Sequence, residues 1–437
     1  MKKRSGILRK SLLVMIMIVL FLPLVQTLFP VFELKPLNGY IQQLPETKLT
    51  VSNWLDGSYQ KHEERYLMEH VGFREPLIRL HHQIDYSCFD IIHASTVFMG
   101  QNGYLYDQKH LEAYLGRDYI GDVSIKDKVN KLRFIQDKLA PYHKSVIVVF
   151  APGKASFFPE HLPKGTPLPG FNTNIRGYLN EMKSQGIHTI DLFHYLKNEK
   201  ENSHFPLMAK YGIHWSHYGS ALATDSITKY MEHLYGIDLI DRSWTTAAEK
   251  PAHDTDIDLL VLLNLMKDPP LPKMGYPTTK IVAPKEKSKL PVLAIADSYF
   301  WGIDRFYYQY FTDYHFLSYN REVFPESSYS PVFAYQLDLK EQLAKHDVII
   351  ILATEANLSN LGWGFIEQTE QLLRDPATKS YLDDSYNRRL EFFKQGMRGD
   401  QNWMKNIAQK AAEKNISVEE MLTLDAQWVL HQYEVKY

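Results

Sequence analysis

The chain has 437 residues, of which 45% are hydrophobic and 23% are charged, and its formal net charge is −2. This length and composition allow a large buried core and argue against a disordered chain. Acidic and basic residues are nearly balanced, with no long basic run beyond the N-terminus, which excludes an electrostatic footprint for nucleic acid. The single cysteine, Cys88, excludes an intrachain disulfide and any zinc site built on two or more thiolates. The apolar spacing around Cys88 predicts a buried thiol on a helix.

The N-terminus predicts a membrane anchor. Lys2, Lys3, Arg4, Arg9 and Lys10 precede about twenty uncharged residues, a length that can cross the hydrocarbon core of a bilayer. The positive flank predicts that this end stays in the cytoplasm. Because the apolar run is long and no small-x-small cleavage site follows it, an uncleaved anchor is favoured over a signal peptide.

Alternating strand and helix patterns follow the anchor. Apolar runs typical of strands buried on both faces of a parallel sheet occur at residues 144–154, 186–193, 290–298 and 345–355. Helical stretches lie between them, so we expect an α/β layered fold with a mainly parallel sheet. In such folds the chemistry collects at the carboxyl ends of the strands.

Four regions follow from this pattern. Residues 1–33 are the basic tail and transmembrane anchor, and residues 34–95 form a helical stalk with two helices separated near Gly72. Residues 96–370 form the α/β domain, and residues 371–437 form a C-terminal helical extension.

Two short segments carry the candidate chemistry. Ser298 lies just past the apolar run "PVLAIA", where a hydroxyl can sit next to backbone N–H donors. Serine is a poor nucleophile at neutral pH and needs a general base, and His214 in "YGIHWSHYG" is the candidate. Read alone, Ser298 is more typical of a helix cap than of a nucleophile, and His214 is more typical of a packed histidine than of a general base. The pair is more informative than either member.

Other residues are candidates for the same site. Asn357 is a possible donor to an oxyanion or a helix cap, and Asp297 and Trp215 are expected beside the oxyanion or the substrate. His217 lies three residues after His214, a spacing that metal ligands use, but no third ligand is evident, so no metal and no cofactor is predicted. The aromatic run at 299–316 offers rings that could pack on sugars, although most of them are expected in the core.

The order of four segments resembles a known family. "VFMGQNGYLYD", "VFAPGKASFFPEHLP", "YGIHWSHYG" and "ADSYF" follow one another as in the membrane-anchored SGNH-hydrolase-like polysaccharide O-acetyltransferases, the alginate O-acetyltransferase-like proteins. The resemblance covers about residues 60 to 370. It implies a three-layer SGNH-hydrolase-like fold, a nucleophile at Ser298 and a general base at His214.

One departure concerns the third member of the triad. The family places an acid two residues before the histidine, and here that position is Gly212. Three explanations stay open: a Ser-His dyad with a backbone carbonyl fixing the imidazole tautomer, a carboxylate from another loop, or a degenerate site that binds without turnover. For the second explanation, Glu355 is the first candidate for the orienting acid and Asp297 a weaker one.

The resemblance implies O-acetyl transfer onto hydroxyls of an exported polysaccharide through a serine acyl-enzyme. It also implies a single-pass protein of the bacterial inner membrane with its catalytic domain in the periplasm, and a polytopic membrane O-acyltransferase that relays the acetyl donor. Two alternatives are a carbohydrate acetylesterase of the same fold and a degenerate polysaccharide-binding or assembly protein.

Overall fold

The computed structural model describes residues 2–39, 44–239, 241–282, 289–307 and 311–433. The chain divides into two compact units, one made of residues 1–98 with 258–271 and the other of residues 99–257 with 272–437.

The helices of the described chain are α1 (Lys2–Leu28), α2 (Val51–Leu55), α3 (Ser58–His70), α4 (Arg74–Phe89), α5 (Gln108–Tyr114), α6 (Asp122–Leu139), α7 (Lys154–Phe157), α8 (Asn174–Gln185), α9 (Leu192–Glu199), α10 (His217–Tyr235), α11 (Asp258–Val261), α12 (Phe300–Tyr307), α13 (Leu339–Lys345), α14 (Phe365–Arg374), α15 (Pro376–Gly399), α16 (Gln401–Lys414) and α17 (Val418–Tyr433).

The strands are β1 (Val97–Met99), β2 (Leu105–Asp107), β3 (Ser145–Ala151), β4 (Thr189–Asp191), β5 (Asp241–Pro251), β6 (Lys273–Val282), β7 (Pro291–Ala296), β8 (Thr312–Ser318), β9 (Glu322–Phe324) and β10 (Val348–Thr354).

The first unit is helical in its described part. Within α1, the segment Arg9–Leu28 is long and apolar enough to cross a membrane. The predicted break near Gly72 is confirmed, since α3 ends at His70 and α4 begins at Arg74. The prediction of a buried Cys88 is wrong: the thiol is exposed, because α4 contributes no fully buried residue.

A six-stranded sheet organises the second unit. Its strand order is β4-β3-β10-β7-β8-β9, and every neighbouring pair is parallel except β8 with β9. The four apolar runs in the sequence became β3, β4, β7 and β10, which confirms the mainly parallel sheet. All residues of β7 and β10 are buried, so both faces of the sheet are covered.

The main core lies between the sheet and helices α6, α8 and α14. Alternate residues of the strands face it, such as Ile295 on β7 and Ile351 on β10, and meet Leu132, Tyr178 and Ile366 from the three helices. A second cluster joins α15, α16 and α17 around residues such as Leu390 and Ile407.

Several elements were missed by sequence reasoning. The aromatic run at 299–316 contains α12 and strand β8, and its residues 308–310 lie outside the described chain. The antiparallel pair β5 and β6 was also missed, whereas the long helix α15 lies within the helical extension predicted at 371–437. Between β5 and β6 the chain passes through a short 3-10 turn, Asp254–Ile257, which becomes important at the site.

Candidate active site

Ser298 lies at the carboxyl edge of the sheet. Strand β7 ends at Ala296, Asp297 follows it, and Ser298 stands in the turn just before α12 begins at Phe300. Its side chain is only partly buried, so it can meet a ligand. This is the edge where parallel α/β sheets place their chemistry.

His214 comes to the same point from a distant segment. It lies in the loop before α10, whose N-cap residue Ser216 accepts a hydrogen bond from the Gly219 N–H. The Nε2 atom of His214 is 2.8 Å from the Oγ atom of Ser298, although the two residues are 84 positions apart in sequence. This is the geometry in which an imidazole can take the proton of a serine hydroxyl.

Tyr299, the residue after the serine, holds the histidine loop on both sides. Its hydroxyl donates to the carbonyl of Ile213 at 2.6 Å, and its own carbonyl accepts from Trp215 Nε1 at 3.1 Å. The indole N–H is the only hydrogen-bond donor of the Trp215 side chain, and it is spent on this contact. Trp215 therefore fixes the loop in place, and its predicted contact with substrate stays a prediction.

Lys154 holds the loop that carries His214 by hydrogen bonds to two of its backbone carbonyls. It is fully buried, and its Nζ donates to the carbonyls of Lys210 at 2.8 Å and Gly212 at 2.5 Å. Its backbone N–H donates to Nδ1 of His110. Burial lowers the pKa of His110 to about 3, with help from the nearby His214 and Lys154, so this ring is neutral at physiological pH.

Asp297 joins the ends of two strands. Its Oδ2 accepts from the N–H of Thr354 at 2.7 Å, the Thr354 hydroxyl at 2.8 Å and Asn357 Nδ2 at 2.8 Å. Its Oδ1 accepts from the Tyr299 N–H at 3.1 Å. Burial raises the pKa of Asp297, and these donors oppose that shift. The carboxylate therefore fixes the turn that presents Ser298.

Asn357 is engaged in the same network. Its Nδ2 donates to Asp297 and also to the Thr354 hydroxyl at 3.0 Å. An amide nitrogen has two hydrogens to donate, and both have acceptors here. The predicted roles of Asn357 and Asp297 at an oxyanion stay predictions, and the contacts of both side chains instead support the turn.

Tyr319 is a site residue that sequence reasoning missed. Its hydroxyl accepts from the Ser298 N–H at 3.3 Å and donates to Ser298 Oγ at 3.2 Å. Tyr319 directly follows strand β8, which begins within the aromatic run and was not predicted. Recognising that strand would have identified Tyr319 as a residue at its carboxyl end. The hydroxyl thus directs its hydrogen at the nucleophile, beside which an oxyanion would develop, while the Ser298 N–H is engaged with the Tyr319 oxygen.

Glu355 has other contacts than those predicted for it. Its Oε1 accepts from the Ser156 hydroxyl at 2.8 Å, and its Oε2 is buried without a hydrogen-bond partner in the described chain. Burial raises its pKa to about 7. It lines an open cavity of about 800 Å³ that also contains Lys197. Its role as the acid that orients His214 stays a prediction, and these contacts do not favour it.

Gly212, where the family has its acid, is packed against backbone. A Cβ atom placed on Gly212 would lie 2.3 Å from the carbonyl oxygen of Thr255 and 3.1 Å from the Cα of Asp256. Distances under 3 Å to backbone are not tolerated, so no side chain fits at this position without moving the 3-10 turn Asp254–Ile257.

A narrow cavity of about 10 Å³ lies beside the serine, roughly the space that one water molecule requires. The residues that line it come from the histidine loop, α10, α12 and the 3-10 turn: His214, Trp215, His217, Ser220, Thr255, Ser298, Tyr299, Gly302 and Arg305.

The His214 and His217 pair does not resemble a metal site. A ring nitrogen of His217 accepts from Arg305 Nη1 at 2.8 Å, and burial, with Arg305 nearby, lowers the pKa of His217 to about 4. Within the described residues, the group with metal-ligand spacing is in the first unit, where ligand atoms of His81, Asp85 and His93 lie within 4.8 Å of one another.

Comparisons with known proteins cover the part of the chain that carries the histidine loop. Residues 97–293 match the model of the family described as SGNH hydrolase-like domain, acetyltransferase AlgX. The match contains His214 and ends shortly before Ser298. Over 192 residues the chain is 22% identical to the probable alginate O-acetylase AlgJ of Pseudomonas aeruginosa, covering 44% of this chain and 47% of that protein. The chain therefore matches about half the length of this curated relative.

Solved structures with a related outline were also found. The O-acetyltransferase domain of Pseudomonas putida AlgJ has a TM-score of 0.44 at 15% identity, covering 63% of this chain and 98% of that one. Pseudomonas aeruginosa AlgX has a TM-score of 0.41 at 14% identity, covering 62% and 66%.

The fold class follows from the sheet and the family match: residues 97–293 match an SGNH hydrolase-like domain, and the central sheet is mainly parallel. The resemblance to the alginate O-acetyltransferase-like family that the sequence indicated is confirmed.

Proposed function

We propose that this chain is an O-acetyltransferase that adds acetyl groups to hydroxyls of an exported polysaccharide. The observation that carries the proposal is the 2.8 Å contact between His214 Nε2 and Ser298 Oγ at the carboxyl edge of the sheet. The match of residues 97–293 to an acetyltransferase family supports the reaction class.

In the first step Ser298 takes the acetyl group. His214 Nε2 removes the hydroxyl proton as Oγ attacks the carbonyl carbon of the acetyl donor. The tetrahedral oxyanion accepts a hydrogen bond from the Tyr319 hydroxyl, and one from the Ser298 N–H as it replaces the Tyr319 oxygen as acceptor of that N–H. The bond to the donor oxygen then breaks, and His214 returns its proton to that leaving oxygen.

In the second step the acetyl group passes to the sugar. His214 Nε2 takes the proton of an acceptor hydroxyl, whose oxygen attacks the carbonyl carbon of the acetyl-serine ester. The same donors hold the second oxyanion. When the ester bond breaks, Ser298 Oγ recovers its proton from His214, and the acetylated sugar leaves.

The N-terminal anchor would hold this reaction at the membrane. With α1 in the bacterial inner membrane, the domain would stand in the periplasm near the emerging polymer. The acetyl donor would be relayed by a polytopic membrane O-acyltransferase, because acetyl-CoA is a cytoplasmic compound and the sequence carries no motif for it. The polysaccharide acceptor is the second partner.

Hydrolysis is the competing reaction for the same Ser-His pair, since an acetylesterase differs only in admitting water to the acyl-enzyme. The matched family and curated relative are an acetyltransferase and an O-acetylase, which favours transfer. The third alternative, a binding protein without turnover, was based on the glycine at position 212. The packing of Gly212 against backbone explains why a glycine stands there, so the glycine need not mark a degenerate site.

The proposal is tested by giving the full chain in detergent p-nitrophenyl acetate together with a panel of bacterial exopolysaccharide fragments. We expect fragments whose mass increases by one acetyl group, and none with the Ser298→Ala variant. Nitrophenol release that yields only free acetate, with no acetylated fragment, would contradict transfer and favour the esterase.

A further inference from the structure

The acid expected at Gly212 has a replacement in the structure. The volume into which a side chain at position 212 would extend is filled by the backbone of Thr255 and Asp256, with the Asp256 Cα 3.1 Å from the place of a Cβ on Gly212. The 3-10 turn therefore occupies the space that a side chain at this position would need. It places the backbone of Asp256, the residue that carries a carboxylate, at this point of the site.

Asp256 is held there in a fixed position. Its side chain is fully buried, and its Oδ2 accepts from the Tyr276 hydroxyl at 2.7 Å. That hydroxyl in turn accepts from the His253 N–H at 2.9 Å, which ties strand β6 to the start of the turn. A buried carboxylate is unfavourable unless polar partners compensate it, so such a residue is rarely a structural accident.

The neighbouring residue places the turn at the histidine. Thr255 lines the same narrow cavity as His214 and Ser298. Since Nε2 of His214 faces the serine, Nδ1 is the ring atom that needs an acceptor to fix the tautomer. An acceptor approaching from the side of Gly212 reaches the ring where the family's own acid would.

The other acceptors near the loop are already engaged. The carbonyl of Gly212 accepts from Lys154, and that of Ile213 accepts from Tyr299. The Asp297 carboxylate accepts from donors of Thr354, Asn357 and Tyr299. The contacts of Asp297 count against it as the orienting acid, whereas a carbonyl oxygen can accept a second hydrogen bond and stays the alternative that the variants below test.

We infer that Asp256 is the acid of the site, a positioning residue whose carboxylate accepts the Nδ1–H of His214 and stabilises the imidazolium that forms during acyl transfer. The chain thus completes a Ser-His-Asp triad with a carboxylate from the segment between β5 and β6, 42 positions after the histidine by residue number. This inference rests on the proposed acyl-transfer function.

The first test measures acetylation of Ser298 by p-nitrophenyl acetate in the full chain, in detergent. Asp256→Asn should lower the acylation rate about 10³- to 10⁴-fold with KM and thermal midpoint little changed, since the asparagine favours the wrong tautomer. Asp256→Glu should recover part of the rate, and Tyr276→Phe, which removes one anchor of the carboxylate, should lower it only several-fold. Asp254→Asn, an exposed carboxylate in the same turn, is the matched control and should retain the parent rate.

A second readout does not require turnover. A hydrogen bond from imidazole Nδ1 to a carboxylate gives a low-field proton signal in NMR, which we expect in the parent and in Asp254→Asn but not in His214→Ala or Asp256→Asn. If that signal survives in Asp256→Asn, or if this variant acylates at the parent rate while Ser298→Ala does not react, Asp256 is not the acid. A parent chain that forms no acetyl-serine would reject the proposed function, and the NMR signal would still decide the contact.

Discussion

Ser298 has two groups directed at its hydroxyl, the Nε2 atom of His214 and the hydroxyl of Tyr319. The first can take a proton from Oγ, and the second donates to it. Only the first belongs to the sequence pattern that suggested an acyl transferase. The site therefore contains more than a Ser-His pair, and the role of each further residue can be tested by its own variant.

Tyr319→Phe removes the hydroxyl that bonds both the N–H and the Oγ of Ser298. We expect the acylation rate to fall by roughly 10- to 100-fold, because loss of one oxyanion donor has an effect of this order. The measurement is nitrophenol release in the first turnover, with the exposed Tyr335→Phe as the control. A rate equal to that of the parent would remove Tyr319 from the oxyanion site.

Glu355 makes a prediction about stability and pH. Its folded pKa is about 7, above its ordinary value of 4.5, so the folded state retains a proton that the unfolded state has lost. The resulting stability is fully present below pH 4.5 and is lost as pH rises to about 7, on the order of 3 kcal/mol in all. Glu355→Gln should flatten this part of the curve, as measured by denaturant unfolding at pH 5 and pH 8. An equal pH dependence in both proteins would contradict it.

At the scale of elements, the loop before α10 is held by contacts from β3 and β7. Lys154, just after β3, binds two of its carbonyls, and Tyr299, just after β7, binds a third. Because the loop has no regular secondary structure, these side-chain hydrogen bonds satisfy its backbone carbonyls and fix its conformation. The position of His214 therefore depends on buried side chains that lie outside its own segment.

Lys154→Met tests this support. The substitution keeps most of the side-chain volume but leaves two carbonyls without their charged donor, and hydrogen bonds to charged groups contribute about 1.5–3 kcal/mol each. We expect the free energy of unfolding to fall by about 3 kcal/mol and acylation to slow with it. Lys164→Met, at an exposed lysine of the following loop, should change neither. Full stability in Lys154→Met would mean that the loop is held by other contacts.

Elements also show where sequence reasoning succeeds. The strands β3, β7 and β10 were predicted because continuous apolar runs identify strands buried on both faces. Strand β8 was missed because its aromatic residues alternate irregularly in burial, and Tyr319 was missed with it. Asp256 carries no local signal at all: it is one of several acids in "HDTDID", and only the fold brings it next to Gly212.

At the scale of the whole molecule, the N-terminal helix and the SGNH hydrolase-like domain have separate tasks in the proposed function. In that proposal the domain carries the acyl chemistry, and the anchor keeps the domain at the membrane. Small esters would reach the domain in any case, whereas the proposed acetyl donor and the growing polymer would meet it only at the membrane.

Deletion of residues 1–33, with export supplied by a cleavable signal peptide, separates the two tasks. We expect hydrolysis of p-nitrophenyl acetate within about two-fold of the parent rate and a loss of polymer acetylation in cells, measured by acetyl content of the exported polysaccharide. An unrelated single-pass helix in place of α1 should restore acetylation. Normal acetyl content with the released domain would contradict a role for the anchor.

The proposed reaction requires that Ser298 carries the acetyl group and that His214 activates the Ser298 hydroxyl. It is tested most directly by the intact mass and peptide map of the full chain after brief exposure to p-nitrophenyl acetate, beside Ser298→Ala and His214→Ala. We expect one acetyl group on the peptide that contains Ser298, absent from the first variant and formed far more slowly in the second. An adduct of equal yield in Ser298→Ala, or none in the parent, would contradict it.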